Sequence, residues 1–211
     1  QFVCQFGNDG HAARLEEVLR ENSVDISGCG YSNKPSGQAF IFLQADGSNS
    51  IIIVGGSNNA WPPSVESFAE LVRSASAVML QREVPEEINE AVAELAHSAG
   101  VPVVQDIGGE ERPISAELLR KVAYICPNET ELERLTGMPS RTADDVVSAA
   151  KGLQAMGAKN VLCTLGEDGA VLVTETGAVL RQSALPVPGG RVVDTTGAGD
   201  TFRAAFVVAM G

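Results

Sequence analysis

Residues 77–104 alternate between apolar runs and helical spacing in a way that few architectures satisfy. Residues 77–80 form a short apolar run. Ile88, Ala91, Val92, Leu95, Ala96 and Ala99 then recur at helical spacing and stop at Gly100. Val101, Val103 and Val104 make a second apolar run. Two strands joined by a helix of this length must run parallel, with a right-handed crossover. The alternation continues downstream. Ile114, Leu118 and Leu119 predict a short helix, residues 124–126 a strand, and Leu132 with Leu135 a helical turn stopped near Gly137. Thr142 with Asp145 has the form of a capping box, opening a helix that carries Val146, Ala149, Ala150, Leu153 and Met156. Residues 160–164 read as a strand. Residues 170–173 and 178–180 read as an antiparallel pair across Glu175-Thr176-Gly177. Val192-Val193 leads into a glycine-rich loop and a last helix with Phe202, Ala205, Phe206 and Ala209. The sum is an α/β fold: a mostly parallel sheet in a three-layer α/β/α sandwich.

The first part of the chain adds a strand over residues 2–6, a turn at residues 7–10, and a helix bearing Ala12, Leu15, Val18 and Leu19. Residues 39–43 and 51–54 predict a hairpin across Ala45-Asp46-Gly47-Ser48, part of a ribbon insertion over about residues 24–54. Ser64 reads as the cap of a helix with Val65, Phe68, Ala69 and Leu71. No linker divides the chain, so residues 1–211 are expected to form one domain, large enough to bury roughly 70% of its extended surface. Both ends cut through regular structure, which predicts an internal piece of a longer chain.

Charge narrows the function. With 15 Lys+Arg against 27 Asp+Glu and a net charge of −12, the chain lacks the basic surface that nucleic-acid binding requires. Compact anion sites built from backbone N–H groups remain. No apolar run reaches the ~20 residues that cross a bilayer. Cys4, Cys29, Cys126 and Cys163 form no CxxC pair, and there are two histidines, so a soft-metal cluster has little to work with. Reduced thiols in a cytoplasmic setting fit.

In open α/β sheets ligands bind beyond the carboxyl ends of the strands. That rule points to the loops after residues 80, 104, 126, 164 and 193. The strongest candidate is Asp194-Thr195-Thr196-Gly197-Ala198-Gly199-Asp200. Gly197 and Gly199 allow close backbone approach, and the helix that follows points free N–H groups into the same space. An acid there repels a phosphate that is merely bound. Asp200 makes sense as a base taking a proton from a hydroxyl that attacks phosphorus, while the amides of Gly197, Ala198 and Gly199 hold the developing charge. The rival reading is an ordinary first-turn acid after a glycine turn. The spacing is neither a dinucleotide fingerprint nor a Walker A loop.

Pro127-Asn128-Glu129-Thr130-Glu131 follows a short strand. Its acids and amide suit the water shell of Mg²⁺ around phosphates; as good a reading is that Asn128 or Thr130 caps the next helix. Thr164-Leu165-Gly166-Glu167-Asp168-Gly169 offers a threonine and glycines to a phosphate, or is a plain turn. Glu83, in Gln81-Arg82-Glu83, is placed to accept from sugar hydroxyls or is a solvated acid. Asn58, in Gly55-Gly56-Ser57-Asn58, is able to read a hydroxyl. Asp106, before Gly108-Gly109, caps or orients. His11 and His97 read as surface residues, Trp61 and Tyr124 as packing.

Residues 194–206 and 127–131 together resemble the signatures of the PfkB, or ribokinase-like, carbohydrate kinase family. The DTTGAGDTF run resembles the family's ATP-site signature, PNETE stands upstream at a family-like distance, and residues 164–169 resemble its nucleotide loop. The resemblance covers essentially the whole chain. Ser36-Gly37-Gln38-Ala39, Gly56-Ser57-Asn58 and Gln81-Arg82-Glu83 look most like the ribose-phosphorylating members. It implies ATP-dependent phosphorylation of D-ribose to D-ribose 5-phosphate. Deoxyribose, fructose, 2-keto-3-deoxygluconate and adenosine are the alternative substrates, and a non-catalytic fragment is the third reading. By position, the resemblance makes Asp200 the general base, in contact with the sugar, and Gly197, Ala198 and Gly199 the anion hole. Asn128 and Glu131 act on the phosphates and on Mg²⁺. Thr164, Gly166 and Gly169 line the nucleotide, Glu83 and Asn58 contact the sugar, and Asp194 and Thr196 hold an activating K⁺. It also implies a β-sheet lid, present here in part, that doubles as a homodimer contact. Two departures stand out: Arg203 where Asn or Thr is common, and Ser57 where Ala is frequent. Further sugar-binding residues are expected before Gln1, and the rest of the adenine and cation sites after Gly211.

Overall fold

The computed structural model describes all residues except 44–48, 110–111, 191, 193 and 211. The expected turn at residues 45–48 and the strand end at Val193 therefore lie outside the described residues. The chain divides into two compact units, Gln1–Leu71 with Glu83–Ala91, and Val72–Arg82 with Val92–Gly211.

The larger unit is built on a six-stranded sheet. The strands in chain order are β5 (Val78–Leu80), β6 (Val103–Asp106), β7 (Tyr124–Cys126), β8 (Asn160–Thr164), β9 (Ala170–Val173) and β10 (Val179–Gln182), and they lie side by side in that same order. β5 to β8 pair in parallel, while β9 and β10 turn back as an antiparallel edge. The expected parallel core and terminal hairpin are both present. Between the strands run α3 (Glu86–Ser98), α4 (Ala116–Lys121), α5 (Glu129–Thr136) and α6 (Ala143–Ala155), and α7 (Ala198–Met210) closes the chain.

Strand alternation decides which helix meets which face. Val104, Cys126, Leu162 and Ala170 form one buried face, against which Phe206, Val207 and Met210 of α7 pack, with Tyr124 edge-on to Phe206. The intervening residues Val161, Cys163, Val171 and Val173 are buried on the other side of the sheet. α6 packs against those strands with Val146, Ala149, Ala150 and Leu153 inward. Burying one such leucine contributes roughly 1.5–3 kcal/mol. The Thr142–Asp145 capping box forms as expected, with both reciprocal hydrogen bonds.

The smaller unit holds β1 (Gln5–Phe6) paired in parallel with β2 (Gly30–Tyr31), and α1 (Gly10–Glu21). Phe6, Ala12 and Ile26 form its small core, joined by Cys4, Leu19, Val24 and Cys29. The strand expected over residues 2–6 shrinks to two residues, because pairing with β2 extends no further. Leu15 and Val18 stand exposed on α1, so the apolar spacing there marks a surface helix with one inward turn. β3 (Gln38–Leu43) and β4 (Asn49–Val54) form the expected antiparallel hairpin. Ser64 accepts from the Glu66 N–H (3.2 Å) at a short 3-10 turn, after which α2 (Ala69–Ser74) starts. The expected helix is thus split in two. Trp61 packs edge-on against Phe68, as a packing residue should.

Candidate active site

The parallel strands of the larger unit end in polar residues on the face that α7 covers. β6 ends at Asp106, which stands in register with Cys126 of β7. One step beyond β7, Asn128 bridges Thr164 at the end of β8, and the Thr164 N–H donates to the Pro127 carbonyl at 3.1 Å. Three candidate loops thus meet along one sheet edge. In the third, Gly169 has φ +100°, and a Cβ there would run into the backbone of Gln182 and Ser183. Only glycine lets the chain turn under that segment.

Asn128 is the N-cap of α5. Its Oδ1 accepts from the Glu131 N–H (2.9 Å), and Glu131 Oε2 accepts from the Asn128 N–H (2.8 Å). The capping role is therefore real, and it fixes the direction of the Glu131 side chain. The second oxygen, Oε1, lies toward Gly108, where the Asp106 carboxylate also arrives. Burial pushes the Glu131 carboxyl above the usual carboxylate range, opposed by the Asn128 amide and reinforced by the charge of Asp106. Among the described residues no group of three or more acidic, histidine or cysteine side chains gathers as a metal cage. One half-buried carboxylate oxygen beside a strand-end acid suits a cation that keeps most of its waters, as Mg²⁺ does on phosphates.

Asp194 opens the glycine loop. Its Oδ1 accepts from the Thr196 N–H at 2.8 Å, a bond that holds its carboxyl below the usual range and places the two residues together. Gly197 adopts φ +71°, which glycine tolerates best. α7 starts at Ala198. The Ala198 N–H already donates to the Thr195 carbonyl (3.1 Å), so of the three amides expected in the anion hole this one is engaged in the turn. The Gly199 and Asp200 amides belong to the first turn, which has no acceptors within the helix.

Asp200 projects from that first turn, its side chain 62% exposed. Arg203, three residues on, is only 12% exposed. Its Nη2 reaches Asp200 Oδ1 at 2.9 Å and Asp106 Oδ2 at 2.6 Å. Asp106 is itself 10% exposed at the side chain and also accepts from the Gly108 N–H at 3.1 Å. The sequence marks Asp200 by its place after the glycines, and no local pattern in it joins Asp106 to Arg203. The available signal was an arginine one helical turn after the acid.

Gly166, with φ +51°, opens a short 3-10 turn after β8 in the larger unit, and the other candidates lie in the smaller one. Asn58 sits in a 3-10 turn, Gly56–Asn59, and its carbonyl accepts from the Trp61 Nε1–H at 2.8 Å. A Cβ on Gly37 would come within 2.8 Å of both Asn58 Nδ2 and the Gly55 carbonyl, so these loops are closely packed. Asp9, read from sequence as a turn residue, caps α1 and accepts from Ser36 through both the amide and the hydroxyl, each at 2.7 Å. Glu83 is exposed. In chemical terms, the larger unit offers an exposed carboxylate beside free helix-start amides, and a loop pair suited to polyphosphate.

The profile of the family described as "pfkB family carbohydrate kinase" matches residues 1–210. A ribokinase of Arabidopsis thaliana is 45% identical over 219 residues, covering 99% of this chain and 56% of its own length. A deoxyribokinase of Salmonella typhimurium is 37% identical over 174 residues, covering 81% of this chain and 55% of its own. The chain thus spans little more than half the length of these relatives. The structure of the Arabidopsis thaliana ribokinase complexed with ribose and ATP superimposes with a TM-score of 0.93 at 46% identity, over 99% of this chain and 68% of that one.

Proposed function

Because the chain belongs to the pfkB family of carbohydrate kinases, we propose that the whole protein transfers the γ-phosphoryl group of ATP to the 5-hydroxyl of D-ribose. The observation that carries this reading is Asp200: an exposed carboxylate on the first turn of α7, directly after Gly197-Ala198-Gly199. The similarity to a ribokinase solved with ribose and ATP supports the choice of substrates.

In this reading an Asp200 oxygen takes the proton of the sugar hydroxyl as that oxygen bonds to the γ-phosphorus. The bond from γ-phosphorus to the bridging oxygen breaks, and ADP leaves. The Gly199 amide, with Gly197 shaping the turn and Ala198 starting the helix, holds the charge on the transferring group. Thr164, Gly166 and Gly169 line the nucleotide, and Glu83 and Asn58 bind sugar hydroxyls. Asn128 and Glu131 act on the phosphates and on the waters of Mg²⁺, which when bound neutralises phosphate charge. Asp194 and Thr196 hold K⁺ and so order the glycine loop. The four free cysteines fit a cytoplasmic enzyme. We assign the β3–β4 ribbon to a homodimer lid, since its apolar side chains Phe40, Ile41, Phe42, Ile52, Ile53 and Val54 are exposed on both faces.

A panel of sugars and nucleosides, assayed with MgATP on the full-length protein, tests the reading. D-ribose should give the highest kcat/KM. A clear preference for fructose or adenosine overturns the ribose assignment. A preference for deoxyribose selects a second reading, which the 37% identical deoxyribokinase favours.

A further inference from the structure

Arg203 lies between two carboxylates that the sequence keeps far apart. One guanidinium nitrogen, Nη2, meets Asp106 Oδ2 at 2.6 Å and Asp200 Oδ1 at 2.9 Å. Asp106 is fixed from below: it ends a central strand, is nearly buried, and accepts from the Gly108 amide. Asp200 is mostly exposed and has no such frame of its own. The guanidinium also lies against the glycine turn, because a Cβ on Gly199 would stand 3.2 and 3.3 Å from its two terminal nitrogens.

We propose that Arg203 is a positioning residue for phosphoryl transfer: it ties the base, Asp200, to the strand-end carboxylate of Asp106 and sets the spacing between that base and the Gly199 amide. The proposal rests on Asp200 being the base. Its physical content is rigidity. A free aspartate on a first helical turn samples several rotamers. A planar guanidinium held by a nearly buried acid aims that shared nitrogen in one direction, and a carboxylate bound to it keeps one orientation. Proton transfer depends steeply on such placement. Lysine carries the charge on a flexible stem without the planar frame, so it holds the two acids less rigidly.

Removing Arg203 also strands the nearly buried Asp106 charge, which destabilises the fold by a separate route. Two backgrounds separate the effects, both in the full-length protein. Arg203→Gln should lower kcat by about 10- to 100-fold, the scale set by misplacement of a reacting group, with KM for ATP little changed and the melting temperature reduced. Adding Asp106→Asn removes the stranded charge, so the melting temperature should recover while kcat stays low. In an Asp200→Asn background, Arg203→Gln should bring no further loss of kcat, because the two residues act as one unit. Arg203→Lys should restore part of kcat. Recovery of kcat together with stability in the Arg203→Gln/Asp106→Asn variant makes the role structural and overturns the proposal. An equal loss in the Asp200→Asn background overturns it too, as does a raised KM for ATP at unchanged kcat. A wild type inactive on every sugar overturns this inference and the kinase reading together, whereas an active wild type with any of the other results overturns this inference alone.

Discussion

Asp200 stands exposed on the first turn of α7, whereas Asp9 is held across a loop by both the amide and the hydroxyl of Ser36. Asp200 was legible, because an acid directly after two glycines at a helix start is chemically odd. Asp200→Asn keeps shape and capping ability, so it should leave the melting temperature near wild type and lower kcat by at least ~10², the usual worth of a positioned base. A full-length variant with wild-type kcat would reduce Asp200 to a cap. Asp9 was not legible as more than a turn residue, because its partner Ser36 lies across a loop whose path no local pattern dictates. The Ser36 hydroxyl and amide, with the Ala12 amide, hold its carboxyl down to about 2 from 3.8. A carboxyl depressed in the folded state adds stability above its unfolded value, and that stability is lost as pH falls through the folded value. Wild type should therefore exceed Asp9→Asn in urea midpoint at about pH 5, and the gap should close towards about pH 2. A gap that stays constant over that range would show that the pairing with Ser36 is not charge-dependent. Arg203 escaped for the same reason as Ser36: its meaning lies in Asp106, which only the fold brings near.

Whole elements were easier to read than their edges. β7 and β8 fall on the residues expected, and β3 pairs antiparallel with β4 as the apolar runs predict. What failed was depth. The spacing on α1 is helical, yet Leu15 and Val18 face solvent, since periodicity reports a face and not what covers it. At Asn128 two readings stood open, and the structure supplies the cap while leaving a Glu131 oxygen beside Asp106. Asn128→Ala removes the acceptor for the Glu131 amide. It should destabilise α5 by about 1 kcal/mol and release Glu131, so KM for MgATP should rise as well. Circular-dichroism melts and initial rates on the full-length variant check both. Lost stability at unchanged KM would confine Asn128 to capping.

At the scale of the whole molecule the β3–β4 ribbon is the outlier. Phe40, Ile41, Phe42, Ile52, Ile53 and Val54 are 47–61% exposed, and alternation spreads them over both faces of two strands. A patch of that kind marks a surface that meets another. The full-length protein should sediment as a dimer, and replacing Phe40 and Ile53 with serine, one on each face, should shift it to monomer. A wild type that sediments as monomer at micromolar concentration removes the lid-dimer assignment. Sequence alone gave the ribbon but not its nakedness, since cover is a property of the fold and of its partners. If a second subunit supplies that cover, part of each protomer's folding free energy resides in its neighbour and follows mass action. Diluting the protein would then act on the ribbon as warming does.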